Sequence, residues 1–188
     1  MSFLLFVAAA SLIALSPVFL IVAAAVKLDS KGPVFFRQKR YGFNNELIEV
    51  FKFRSMYTDQ LDHTASKLVT KGDPRVTRVG RFIRKTSIDE LPQLFNVLKG
   101  DLSLVGPRPL LMEYLPLYTP EQARRHDVMP GITGWAQVNG FRGGTPRLEL
   151  MERRVALDLW YIDNWSLALD VSIMLKTCFE LIRRRNAY

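Results

Sequence analysis

From Phe3 to Val26 the chain carries no charged residue, and the stretch passes the length of about 20 residues that a membrane-spanning helix needs. Ser16 and Pro17 interrupt it. Proline removes one helical hydrogen bond and collides with the preceding turn, so a bend is expected there, with Ser16 able to bond the backbone groups it frees. On the pattern alone a kinked span and a re-entrant hairpin are both open. Lys27, Lys31, Arg37, Lys39 and Arg40 follow closely, which under either geometry places the C-terminal flank in the cytoplasm. A cleaved signal peptide is disfavoured, because the basic leader segment is missing and the apolar stretch is long.

Beyond residue 26 the pattern shortens. Val34-Phe35-Phe36 is a strand candidate, and Gly42, Asn44 and Asn45 mark a turn. Residues 46–56 alternate with period two, Phe51 and Phe53 on one side and Lys52 and Arg54 on the other; taken alone, that basic face reads as solvated. Residues 57–80, with Asp73-Pro74-Arg75 and Thr77-Arg78, read as a loop. Residues 149–160 and 166–185 read as helices, with Trp160, Tyr161 and Trp165 at their junction and Arg183, Arg184 and Arg185 near the end, a mixture that suits a bilayer interface as well as ordinary packing.

A chain of 188 residues with 48% apolar content is enough for one domain and a membrane element. The 26 Lys and Arg against 18 Asp and Glu leave +8, which suits nucleic acid, lipid headgroups or a phosphorylated substrate. A single cysteine, Cys178, excludes an internal disulfide, and His63 and His126 have no partner at a zinc-ligand spacing. No phosphate-loop motif is present, so a conventional kinase or ATPase is not expected.

The strongest chemical signal is Arg84 to Leu98, with Asp89 and Glu90 adjacent. Ser87 and Glu90 have capping-box spacing, which starts a helix at Ser87; Pro92, which prefers the first helical position, starts it later. In both registers the two carboxylates lie at or just before the first turn, and Leu91, Leu94, Phe95 and Leu98 bury one face. A helix start favours ionised carboxylates and bound phosphate. One carboxylate there can attack phosphorus while its neighbour holds a divalent cation, although an acidic helix start is also ordinary. Arg108, fixed between Pro107 and Pro109, suits bidentate phosphate recognition.

Four blocks in order, Lys52 to Met56, Arg84 to Asn96, Lys99 to Pro109 and Pro130 to Gly140, resemble the bacterial sugar transferases, or monotopic phosphoglycosyl transferases, over nearly the whole chain. The resemblance implies an α+β, mostly helical fold: a monotopic membrane protein with a re-entrant helix-break-helix over residues 1–26, a small β-hairpin, amphipathic interfacial helices, and a cytosolic, membrane-associated catalytic domain over residues 27–188. It implies transfer of a sugar-1-phosphate from a UDP-sugar to polyprenyl (undecaprenyl) phosphate with release of UMP, at the bacterial inner membrane, as the first membrane step of a cell-surface glycan such as exopolysaccharide, capsule or O-antigen. Asp89 would be the nucleophile and Glu90 the magnesium ligand. Arg84 and Arg108 would bind phosphate, and Lys52, Arg54, Arg75, Arg78, Gln137 and Asn139 join them as candidate substrate-binding residues. The membrane break falls at Ser16-Pro17. Partners are then the UDP-sugar, the polyprenyl phosphate and membrane lipid, with no nucleic acid and with a homodimer left open. Phe141 to Thr145 and the ending Asn186-Ala187-Tyr188 resemble the branch that loads hexose-1-phosphate, usually glucose or galactose. That branch commonly carries an N-terminal multi-span bundle, so the chain is expected to be a short standalone form or a catalytic fragment. Where Gly143-Gly144-Thr145 stands, the family more often has Gly-Glu-Thr.

Overall fold

The first element of the computed structural model, which describes residues 2–60, 70, 72–109, 119–141 and 148–183, is a single helix, α1 (Ser2–Asp29). At 28 residues and a rise of about 1.5 Å per residue it is about 42 Å long, more than the roughly 30 Å of a bilayer core. It runs as one helix through Ser16-Pro17, where a helix-break-helix was expected, and ends three residues beyond the sequence-derived boundary at Val26. Proline at 17 leaves the carbonyl of Ile13 without its helical donor, and the Ser16 hydroxyl donates to that oxygen at 2.8 Å, the compensation expected for this pair. Only 11% of the apolar window is buried, whereas the core helix of a soluble protein is mostly covered.

The hairpin that follows pairs β1 (Phe35–Tyr41) antiparallel to β2 (Leu47–Phe53), with Phe36 opposite Lys52 and Phe35 opposite Phe53. Asn44 and Asn45 close it with positive φ, which asparagine tolerates better than most side chains. Helix α2 (Arg78–Thr86) begins inside the stretch read as loop: the Thr77 side chain accepts from Gly80 N, Asp29 Oδ2 accepts from Val79 N at 2.9 Å and Ser55 O accepts from Thr77 N at 3.1 Å, so three of its four orphan donors are satisfied. After α3 (Gln93–Lys99) come β3 (Ser103–Val105), α4 (Pro120–Ala123), β4 (Gly131–Thr133), α5 (Trp135–Val138), α6 (Leu148–Asp163) and α7 (Leu167–Arg183). Strands β3 and β4 form a second, parallel pair. A Cβ at Gly131 would meet the Gly106 backbone, so glycine is what allows these strands to approach.

Both halves of α1 pack against the domain. Leu4, Leu5, Val7, Ala8, Leu12 and Leu15 join a core with Val50, Leu94, Leu104, Tyr161 and Ile173. Val18, Phe19, Val22, Ala23 and Val26 join a second core with Phe53, Ile83, Ile88 and Leu91. The opposite face, with Phe6, Ile13, Leu20, Ile21 and Leu28, is exposed. The exposed residues Leu167, Val171, Leu175 and Phe179 recur at helical spacing on α7, giving it an uncovered apolar stripe. Arg142 to Thr145, Arg184, Arg185, Asn186 to Tyr188 and His63 lie outside the described residues.

Candidate active site

Helix α2 stops because Ser87 turns left-handed (φ 57°, ψ 18°), and a short 3-10 turn, Ile88–Glu90, carries the two carboxylates. The capping box does not form: Ser87 makes no side-chain cap, and α3 starts instead after Pro92. Of the two registers open in the sequence, the proline sets the observed one. Ile88 and Leu91, which flank the acid pair, anchor it in the apolar cluster under the C-terminal half of α1.

Helix α3, which follows the turn, is locked to β2 by Asn96, which is fully buried. Its Oδ1 accepts from Phe51 N (2.9 Å), while its Nδ2 donates to Glu49 O (2.7 Å) and to Asp101 Oδ2 (3.0 Å). Sequence reasoning passed over this residue, although a polar amide amid the apolar helix positions was a signal.

Across from the turn, Lys52 Nζ lies 3.4 Å from Glu90 Oε1. Arg108 holds both Glu90 oxygens, Nη1 donating to Oε2 at 2.9 Å and Nη2 to Oε1, and Nη1 also reaches Ile132 O at 3.4 Å. The solvated basic face expected for β2 is therefore a correction: Lys52 is largely buried against Glu90, because the strand is covered by the acid-bearing turn. Arg84 Nη1 lies 3.4 Å from Ser55 Oγ, and its charge acts on Asp89.

Asp89 is 7% exposed, and its carboxylate makes no hydrogen bond or ion pair among the described residues. Burial and the adjacent Glu90 charge push its carboxyl up to about 6, against the pull of Lys52, Arg84 and Arg108. Burial holds the Lys52 ammonium below its ordinary value, the Glu90 charge opposing it. For Arg108, burial weighs against the charge, but Glu90 outweighs it and holds the guanidinium above its ordinary value. Two carboxylates thus face three cations, and one carboxylate is left unpaired.

Behind Arg108 stand two residues that sequence reasoning either missed or cast differently. Arg125, buried, donates to Asp158 Oδ2 at 2.7 Å and to the Arg108 carbonyl at 2.8 Å, fixing the main chain from which Arg108 extends. Gln137 Nε2 donates at 3.0 Å to Ile132 O, the carbonyl Arg108 also reaches. Its Oε1 is buried without a hydrogen-bond partner among the described residues.

The remaining candidates lie elsewhere. Arg54 is 1% exposed and donates to backbone carbonyls in the turn that follows α1, so its expected role as a phosphate ligand is replaced by a structural one. Arg75 is bidentate on Asp73 and, mainly through that hydrogen bond, holds the Asp73 carboxyl down at about 2. Arg78 is exposed at the first turn of α2. Asn139 is exposed and donates to Trp135 O within its own helix end.

Among the described residues no group of three or more His, Cys, Asp or Glu could cage a metal. Magnesium does not require one: it is commonly held by one or two carboxylates together with substrate phosphates and water. Adjacent Asp89 and Glu90 fit that form of binding.

Residues 2–184 match the family described as bacterial sugar transferase. The chain is 54% identical to the undecaprenyl-phosphate glucose phosphotransferase of Komagataeibacter xylinus over 94% of its length and 34% of the relative's. It is 49% identical to a UDP-glucose:undecaprenyl-phosphate glucose-1-phosphate transferase of Caulobacter vibrioides, over 97% of the chain and 69% of that protein. It is 46% identical to a UDP-N-acetylgalactosamine-undecaprenyl-phosphate N-acetylgalactosaminephosphotransferase of Aeromonas hydrophila, over 86% of the chain and 38% of that protein. The chain thus spans about a third of the length of several relatives it matches.

Proposed function

The chain belongs to the bacterial sugar transferase family, and from that premise we propose that it moves a hexose-1-phosphate, with glucose the first candidate, from a UDP-sugar to polyprenyl phosphate. The observation that carries the reading is the buried Asp89 carboxylate, unpaired among the described residues, within the field of Lys52, Arg84 and Arg108.

In the first half, an Asp89 oxygen attacks the β-phosphorus, an O–P bond forms, and the bond from that phosphorus to the bridging oxygen breaks, so UMP leaves with the electron pair. Lys52, Arg84 and Arg108 offset the negative charge of the diphosphate as it arrives and as UMP departs. In the second half, an oxygen of the polyprenyl phosphate attacks the same phosphorus, the bond to Asp89 breaks, and the carboxylate is restored. Glu90 would hold magnesium, which neutralises charge on the phosphate oxygens when bound. Arg108 keeps Glu90 in place, and the Arg125–Asp158 pair keeps Arg108 in place.

The second substrate is a lipid, and α1 gives the protein a bilayer element. A helix crossing the membrane alone would leave its domain after the first contacts, whereas α1 packs against it from Leu4 to Val26. The contacts along both halves of α1 and the apolar stripe on α7 support a monotopic attachment with the domain on the cytosolic face of the inner membrane, and a re-entrant path would need a bend at Ser16-Pro17, through which α1 here runs as one helix. The place of the enzyme is then the opening of exopolysaccharide, capsule or related glycan synthesis.

The test is UMP release in vesicles holding undecaprenyl phosphate and magnesium, across a panel of UDP-sugars. Release with UDP-glucose or another UDP-hexose is the expected result; no release with any of them overturns the proposal.

A further inference from the structure

The end of a helix leaves its last four carbonyls without intrahelical donors and gathers partial negative charge. Arg54, the residue after β2, brings a cation to this end and meets one carbonyl of the last turn of α1, that of Val26, and three of the turn that follows the helix, those of Ser30, Lys31 and Pro33. Arg54 Nε donates to Pro33 O at 2.6 Å, Nη1 to Lys31 O at 2.7 Å, and Nη2 to Ser30 O at 2.8 Å and Val26 O at 3.4 Å. Nη1 also donates to Ser30 Oγ (2.8 Å) and Thr58 Oγ1 (3.2 Å), and that hydroxyl in turn donates to Lys31 O at 2.7 Å. From the other side Asp29, the last residue of α1, accepts from the start of α2. Gly32 sits between them at φ +128°, and a Cβ there would collide with Thr58 Oγ1 and press on Arg54 Nη1.

The two elements joined to this end are the ones that deliver the site. Lys52 is two residues before Arg54 on β2, and Arg84 is at the far end of α2. We propose that this joint fixes the depth of the active site relative to the membrane helix, which makes Arg54 a positioning residue for the step that takes its acceptor from the bilayer. The inference rests on the function proposed above. A UDP-sugar arrives from water and reaches Asp89 wherever the domain sits. The phosphate of a long-chain lipid is held at the depth its tail allows, so a tilt of the domain by an ångström or two misplaces it.

The experiment uses the full chain in phospholipid nanodiscs and reads the halves separately. Arg54→Lys keeps a cation but cannot fork onto all these acceptors. Single-turnover UMP release without lipid acceptor is expected within about 3-fold of wild type, transfer to undecaprenyl phosphate to fall about 30-fold, and transfer to a short-chain, water-soluble polyprenyl phosphate to fall less than about 3-fold. Gly32→Ala, which disturbs the same joint from the opposite side, gives the same split. An equal fall with long and short acceptors, or a loss of UMP release in Arg54→Lys, overturns the inference. If Arg54→Lys fails to fold, Gly32→Ala decides alone, and an unchanged long-to-short ratio sinks the idea. Wild-type protein that releases no UMP instead contradicts the functional proposal itself.

Discussion

The acid pocket and the joint at the end of α1 are both built from arginine and oxygen on neighbouring parts of β2, yet they are opposite in kind. At the joint, Arg54 is buried with all three guanidinium nitrogens donating. In the pocket, Glu90 is paired with Arg108 and Lys52, while Asp89 is buried beside the same cations with no partner among the described residues. A satisfied buried charge stabilises a structure. An unsatisfied one costs free energy, and a fold keeps it where its reactivity is used.

Replacing Asp89 separates the two most sharply. Asp89→Asn should lower turnover by about 10⁴-fold or more in a UMP-release assay, since it removes the attacking oxygen. The same change should raise the thermal midpoint by a few degrees, because a neutral amide no longer carries the cost of a buried charge. A midpoint that falls would show that Asp89 is a structural carboxylate. The next largest effect falls on Arg108: Arg108→Lys should reduce kcat/KM by about 10²-fold, as a single ammonium cannot hold both Glu90 oxygens and a phosphate. At the joint the order of effects reverses. Arg54→Met should destabilise the protein by about 2–4 kcal/mol, read as a lower thermal or denaturant midpoint, because several carbonyls in the turn after α1 lose their donor together.

These contrasts also show what could be read without coordinates. Asp89, Glu90 and Arg108 stood out because adjacent carboxylates and a proline-bracketed arginine are local patterns, and Ser16 with Pro17 announced its own compensation. Lys52 and Arg54 could not be told apart, since both occupy one face of one strand. What separates them is the tertiary neighbour, an acid-bearing turn for one and the turn that follows α1 for the other, and neither neighbour is encoded in the strand. The start of α3 was ambiguous because Ser87 and Pro92 carry competing helix-start signals, and the left-handed Ser87 decides it. Arg125, Asp158 and Asn96 act through hydrogen bonds that reach across 17 to 47 residues of sequence, which no spacing rule reveals.

The pH dependence is a smaller and more diagnostic contrast. With the Asp89 carboxyl raised to about 6, kcat/KM should climb with pH to about 6 and then level, and Arg84→Gln should move the inflection upward by removing a cation that favours ionisation. The stability linkage runs opposite in sign to the activity. Between about pH 4 and 6 the folded chain holds a proton at Asp89 that the unfolded chain has released, so this group's contribution falls as pH rises. Asp73, held down at about 2 by Arg75, contributes in the opposite sense: its stabilisation is present above its ordinary value of 3.8 and is lost as pH falls toward 2. The smallest effect is expected at Asn139, whose side chain bonds within its own helix end; Asn139→Ala should change kcat/KM by less than about 2-fold.

The central claim is that Asp89 is the group that becomes covalently loaded. It is tested most directly by incubating the protein with a UDP-hexose and magnesium in the absence of any lipid acceptor, then digesting it and mapping the modified peptide by mass spectrometry. The account predicts UMP release close to one equivalent and a hexose-phosphate on the peptide at Asp89, absent from Asp89→Asn and discharged when polyprenyl phosphate is added. A hexose-phosphate carried on another residue, or UMP that is released only when both substrates are present together, would contradict it.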